Sequence, residues 1–60
     1  MQHTLDGYHV LLVEDEALIA LSEAKMLGRH GLEVVTAYNA EDAISTCRNQ
    51  DIDLILMDID

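Results

Sequence analysis

Acidic residues directly follow two strongly apolar segments of the sequence. The segment VLLV runs into Glu14, Asp15 and Glu16, and the segment LILM runs into Asp58, with Asp60 two positions later. Carboxylate oxygens suit Mg²⁺, which accepts a few carboxylates and a phosphoryl oxygen while it keeps several waters. An aspartate that is ionised at neutral pH can also attack a phosphoryl group without a general base. The residues therefore predict a Mg²⁺-dependent phosphoryl site, provided that the two segments meet.

The elements that must position these acids alternate between apolar runs and amphipathic runs. Residues 8–13, 32–38 and 52–57 are short and apolar or β-branched, which predicts three strands. Residues 16–30 predict a helix, with Asp15 as its N-cap and Gly31 as a left-handed stop. Asn39 can cap a second helix, on whose apolar face Cys47 is predicted to be a small core residue. The predicted apolar face of the first helix consists of Ala17, Ala20, Leu21, Ala24, Leu27 and Gly28.

This β-α-β-α-β order predicts an α/β fold with a parallel sheet and helices on both faces. If the two helices cover opposite faces, the right-handed crossovers give the strand order 2-1-3. Strands one and three are then neighbours, about 4.8 Å apart, and ligands bind where the winding reverses, at the carboxyl ends of the strands. Glu14, Asp15 and Asp58 are expected to converge there, and without a cation their repulsion should raise at least one pKa.

Each acid also has a simpler interpretation. Asp15 could act only as a helix N-cap, and Asp58 could be only a turn residue after a strand. Glu16, Asp51 and Asp53 are expected to be solvated surface acids. The joint arrangement, with acids at the ends of both neighbouring strands, favours a site.

Composition excludes several classes of protein. The 60 residues are half apolar, which excludes a disordered tail, and the single cysteine excludes an internal disulfide. The formal charge of −9 should repel nucleic acid. The scattered His3, His9 and His30 lack the spacing of a zinc site. Since no run approaches the ~20 apolar residues of a membrane span and no signal peptide is apparent, we expect a soluble, cytoplasmic chain with no membrane partner.

The motifs VLLVEDE and DLILMDI together resemble the receiver domain of bacterial two-component response regulators, and this resemblance extends from Val10 to the end. It implies the first half of a flavodoxin-like doubly wound sheet, in which residues 1–7 lead into a β-α-β-α-β unit over residues 8–60. The domain is expected to continue beyond residue 60.

The resemblance implies a role for each acid. Asp58 matches the aspartate that takes a phosphoryl group from the phosphohistidine of a histidine kinase and that also binds the metal. Asp15 matches the direct Mg²⁺ ligand, and Glu14 matches its partner, which usually holds the metal through water. Asp60 matches the position whose backbone carbonyl completes the protein ligands. The implied partners are a sensor histidine kinase or phosphotransfer protein and an attached output domain.

The sequence departs from the family pattern in several ways. Glu14 stands where aspartate is commoner, Ile52 stands where proline is frequent, and Asp60 adds an acidic side chain at a variable position. The hydroxyl residue of strand four and the lysine of strand five fall outside the 60 residues, and Lys25, within the first helix, cannot replace that lysine. Because strand three would be a bare apolar edge, we expect the 60 residues not to form a stable monomer.

Two alternative functions remain at the level of sequence. Asp58 and Asp60 also fit the Asp-x-Asp motif of haloacid-dehalogenase-type phosphohydrolases, with Asp58 as nucleophile and Asp60 as acid–base, although this leaves the VEDE motif unexplained. The other alternative is a receiver-like interaction module that no longer carries phosphate.

Overall fold

The computed structural model describes residues 6–58. Within that range the chain forms β1 (His9–Val13), α1 (Ala17–Arg29), β2 (Glu33–Ala37), α2 (Ala40–Asn49) and β3 (Leu54–Met57). The predicted order of elements is confirmed, and each strand, like α1, is one or two residues shorter at its ends than predicted. Neither helix in this part of the chain is long and apolar enough to cross a membrane.

The three strands form a parallel sheet in the order β2-β1-β3, as predicted. The register aligns the carboxyl ends of the strands, because Val13 pairs with Ala37 on one side and with Met57 on the other. The Asp58 N–H extends the β1–β3 ladder by donating to the Val13 carbonyl at 2.9 Å. The residues that follow β1 and β3 therefore lie side by side.

Helices cover both faces of the sheet, so the half-domain is doubly wound and flavodoxin-like. Leu11 and Val13 pack with Ala43 of α2 on one face. Among the described residues α1 and α2 make no contact with each other, which places them on opposite faces. The centre of the core is β1, whose VLLV run is almost completely buried because it has a strand on each side and a helix on each face.

The first helix begins differently from the prediction. Glu16, not Asp15, is the N-cap residue, and it makes no side-chain capping bond. The Glu16 N–H instead donates to Oε1 of Glu14 at 3.0 Å. The prediction that Asp15 caps α1 was therefore wrong, because the buried Glu14 carboxylate accepts a hydrogen bond from the start of the helix.

The other helix ends follow the predicted chemistry. The Asn39 side chain accepts a hydrogen bond from the Asp42 N–H at 2.9 Å, which confirms it as the N-cap of α2. Gly31 follows the C-cap of α1 with a φ of +86°, so it supplies the predicted left-handed conformation.

The edge formed by β3 is open. All four of its residues are exposed, between 43% and 63%, because neither helix packs against this strand. An apolar groove of about 390 Å³ lies between α2 and β3 and is lined in part by Ile44, Cys47, Ile55 and Met57. Cys47 is consequently exposed, and its assignment to the core was wrong for this part of the chain.

At the amino ends of the strands, Asp53 has a structural contact that the sequence did not predict. Its Oδ2 accepts a hydrogen bond from the His9 N–H at 2.8 Å, and its own N–H donates to the His9 carbonyl at 2.8 Å. Nε2 of His9 lies 3.0 Å from the Glu33 carboxylate on the other side. Asp53 is therefore exposed but joins the start of β3 to β1.

Candidate functional site

Three carboxylates meet at the carboxyl ends of β1 and β3. Glu14 follows β1, Asp58 follows β3, and Glu23 reaches the same point from α1. One oxygen from each lies within 4.8 Å of the others. The predicted approach of Glu14 to Asp58 is therefore present, because parallel pairing in register brings the two strand ends together.

Glu14 is the most enclosed of the three acids, with only 2% of its surface exposed. The Glu16 N–H, which donates to it, lowers the pKa of Glu14. Burial and the neighbouring Asp15 and Asp58 outweigh that effect, so the pKa of Glu14 is raised above its ordinary value. The repulsion expected among the acids therefore contributes to the raised pKa of Glu14.

Glu23 was not predicted as a site residue. It lies on the inner side of α1 with the buried Ala20 and the half-buried Ala24 and Leu27. Burial, followed by a hydrogen bond to the Asp58 side chain and the Asp58 charge, raises the pKa of Glu23. Its Oε1 is buried and has no hydrogen-bond partner. The signal in the sequence was an acidic residue three positions after Ala20 and four before Leu27, within an otherwise apolar stripe.

The remaining predicted site residues have different positions. Asp15 is exposed, and its side chain contacts Glu14, whose pKa it helps to raise. It is outside the group of three converging oxygens. Asp60, with its predicted backbone carbonyl ligand, lies outside the described residues. Across residues 6–58, no lysine or arginine forms an ion pair with Glu14, Glu23 or Asp58.

The geometry and chemistry of this group fit Mg²⁺. In an octahedral Mg²⁺ site with oxygens at about 2.0–2.1 Å, opposite ligands are about 4.2 Å apart, and the three carboxylate oxygens here all lie within 4.8 Å of one another. The donors are all carboxylates, the ligand type that Mg²⁺ prefers. A divalent cation would offset the charge that raises two pKa values, and it would supply a partner for the buried Glu23 Oε1.

Residues 10–60 match the family described as the response regulator receiver domain. The chain belongs to this family of two-component signalling domains, in agreement with its strand order and its acids at the strand ends.

Relatives within the matched region are transcription regulators from fungi and a bacterium. The chain is 43% identical over 53 residues to transcription factor SKN7 of Saccharomyces cerevisiae, with 88% of the chain and 8% of that protein covered. It is 40% identical over 52 residues to SKN7 of Candida albicans, covering 87% and 9%. It is 34% identical over 55 residues to the uncharacterized transcriptional regulatory protein YbdJ of Bacillus subtilis, covering 92% and 24%.

The chain thus spans less than a quarter of the length of each of these relatives. Because two of them are fungal, the likeness is not confined to bacterial proteins. No solved structure matches the chain significantly.

Proposed function

We propose that the chain is a phosphoacceptor module that receives a phosphoryl group on Asp58 from the phosphohistidine of a histidine kinase or a phosphotransfer protein. The observation that carries the proposal is the position of Asp58 at the end of β3, beside the buried Glu14 at the end of β1. This is where a receiver domain needs its acceptor and its acids, and the family match supports the same assignment.

Each part of the transfer has a group to perform it. An oxygen of the Asp58 carboxylate attacks phosphorus, a P–O bond forms, the P–N bond to histidine breaks, and the released imidazole takes a proton. Glu14 and Asp15 would hold Mg²⁺ beside the acceptor, with Asp60 contributing its backbone carbonyl. The bound cation would neutralise charge on the transferring phosphoryl oxygens.

Asp58 is accessible enough to meet a donor. It is exposed, whereas Glu14 is buried at the base of the site. A phosphohistidine can therefore approach from solvent while the inner acid remains fixed by the Glu16 N–H. This division between an exposed acceptor and an enclosed acid suits transfer between two proteins.

The phosphorylated chain would pass its signal to an attached output domain or a partner protein. The similarity to transcription regulators suggests control of transcription as the output. Contact with DNA would belong to another part of such a protein, because the formal charge of this chain is −9. We place this activity in the cytoplasm, where histidine kinases present their phosphohistidine.

The test is labelling of the protein by a small phosphodonor with Mg²⁺, followed by intact mass. The parent should gain one phosphoryl group and Asp58→Asn none. Asp51→Asn removes the same charge from an exposed position before β3 and should label like the parent. Equal labelling of Asp58→Asn and the parent would refute the assignment, and a parent that never labels would favour the non-phosphorylated interaction module.

The phosphohydrolase alternative has its own test. It requires turnover of a phosphate ester, with loss of that turnover in Asp60→Asn. The contact of Asp58 with Glu14 and Glu23 favours the receiver assignment, because the phosphohydrolase motif uses only Asp58 and Asp60 and gives the acids after β1 no role.

A further inference from the structure

Glu23 occupies an unusual position for a charged side chain. It lies in the middle of α1, in the stripe that faces the sheet, where its neighbours are Ala20, Ala24 and Leu27. At the adjacent position, that of the exposed Ser22, a glutamate would extend into solvent. The Glu23 carboxyl group instead lies beside those of Asp58 and Glu14, with one oxygen of each within 4.8 Å of the others.

The Glu23 carboxyl group is incompletely satisfied in this position. Oε1 is buried and has no partner, although buried polar atoms are normally hydrogen-bonded. A buried carboxylate oxygen without a partner is unfavourable, and placing it near two further acids adds repulsion. The surroundings offer no compensating lysine or arginine within residues 6–58.

A cation at the meeting point of the three acids resolves both costs. The Glu23, Glu14 and Asp58 oxygens all lie within 4.8 Å of one another, so one ion can contact all three directly or through an ordered water. The alternative, a proton shared between Glu23 and Asp58, would leave the buried Oε1 without a partner.

We propose that Glu23 is an additional residue of the divalent-cation site, where it binds Mg²⁺ directly or through one water and so connects α1 to the phosphoryl acceptor. This inference rests on the proposed function. The inference adds one acid from α1 to the metal ligands at the ends of β1 and β3. Binding of the cation would then also hold α1 in place.

The experiment is a calorimetric titration of Mg²⁺ into the parent protein, Glu23→Gln and Glu33→Gln. Glutamine preserves the size of the side chain and one acceptor oxygen but removes the charge. Glu33→Gln removes the same charge at the opposite end of the strands. Loss of a residue that supports a metal typically weakens affinity about 10–100-fold. We expect at least a ~10-fold loss for Glu23→Gln and an affinity close to the parent for Glu33→Gln.

A second measurement needs no variant. With Mn²⁺ in place of Mg²⁺, paramagnetic broadening should be stronger for the Glu23 side-chain resonances than for those of the exposed Glu33 at the opposite end of the strands. Equal Mg²⁺ affinity in Glu23→Gln and Glu33→Gln, or weak broadening at Glu23, would overturn the inference.

The two proposals fail in distinguishable ways. If the parent binds Mg²⁺ and labels on Asp58 while Glu23→Gln binds equally well, only the role of Glu23 is lost. If the parent binds no Mg²⁺, the cation requirement of the proposed function is lost as well.

Discussion

The Glu23 carboxyl group of α1 lies beside the carboxyl group of Asp58, the residue that follows β3, with one oxygen of each within 4.8 Å of the other. The contact joins a helix on one face of the sheet to the proposed phosphoryl acceptor. It also places a second raised-pKa acid beside Glu14, so negative charge accumulates at the strand ends without a neutralising side chain among residues 6–58. The stability of the fold should therefore respond to protons and to cations.

The pH dependence of stability follows from the raised pKa values of Glu14 and Glu23. Their ordinary value is 4.5, and the folded chain binds these protons more tightly than the unfolded chain does. Their contribution to stability is therefore fully present below pH 4.5 and lost as the pH rises through the folded pKa values. At neutral pH without Mg²⁺, Glu23→Gln should raise the free energy of unfolding.

Urea denaturation at a fixed chain concentration, repeated from below pH 4.5 to neutral pH, measures the free energy of unfolding of the parent and of Glu23→Gln. The increase in the free energy of unfolding that Glu23→Gln causes should shrink as the pH falls. At saturating Mg²⁺, Glu23→Gln should instead lower the free energy of unfolding. Asp51→Asn is the control, because Asp51 is exposed and precedes β3 at the other end of the strands. A gain that is independent of pH would contradict the electrostatic explanation.

Gly31 is predicted to be intolerant of a side chain. Its φ of +86° is unfavourable for other residues, and an added Cβ would collide with the Asp6 side chain. Gly31→Ala should reduce the free energy of unfolding by more than about 1 kcal/mol. Gly28→Ala is a matched control within α1, where an added Cβ meets nothing within 4 Å, and it should be neutral or stabilising by up to ~1 kcal/mol. Equal losses would show that the left-handed turn is unimportant.

The N-cap of α2 should contribute measurably to stability. Asn39 accepts a hydrogen bond from the Asp42 N–H at 2.9 Å, and removal of such a cap typically costs about 1 kcal/mol. Asn39→Ala should lose this amount in urea denaturation, whereas Asn39→Asp retains an acceptor oxygen and should lose much less. Similar losses in both variants would mean that the cap is not the cause.

The open β3 edge should make the 60-residue chain associate. Its four residues are apolar and more than 40% exposed, and an unpaired apolar strand is a template for pairing with another chain. We expect a thermal transition whose midpoint depends on chain concentration. Leu56→Lys should weaken the association, whereas Leu18→Lys, on a helix position that is 83% exposed, should not. A cooperative, concentration-independent transition of the parent would contradict this prediction.

The sequence by itself determined the order of elements and the meeting of Glu14 with Asp58. Uninterrupted apolar runs mark buried parallel strands, Asn39 and Gly31 mark helix ends, and in-register pairing brings acids at strand ends together wherever the rest of the chain goes. These features depend on local chemistry and on the few topologies that parallel crossovers allow.

Only the tertiary structure decided which acids are enclosed. The position of Glu23 depends on the rotation of α1 against the sheet, and a shift of one residue in the helix stripe separates a solvated acid from a buried one. The same packing set the cap at Glu16 rather than Asp15 and left Asp15 exposed. Burial of Glu14 and exposure of Cys47 likewise follow from which elements cover each face, because exposure is a property of the packed elements and not of a residue's type.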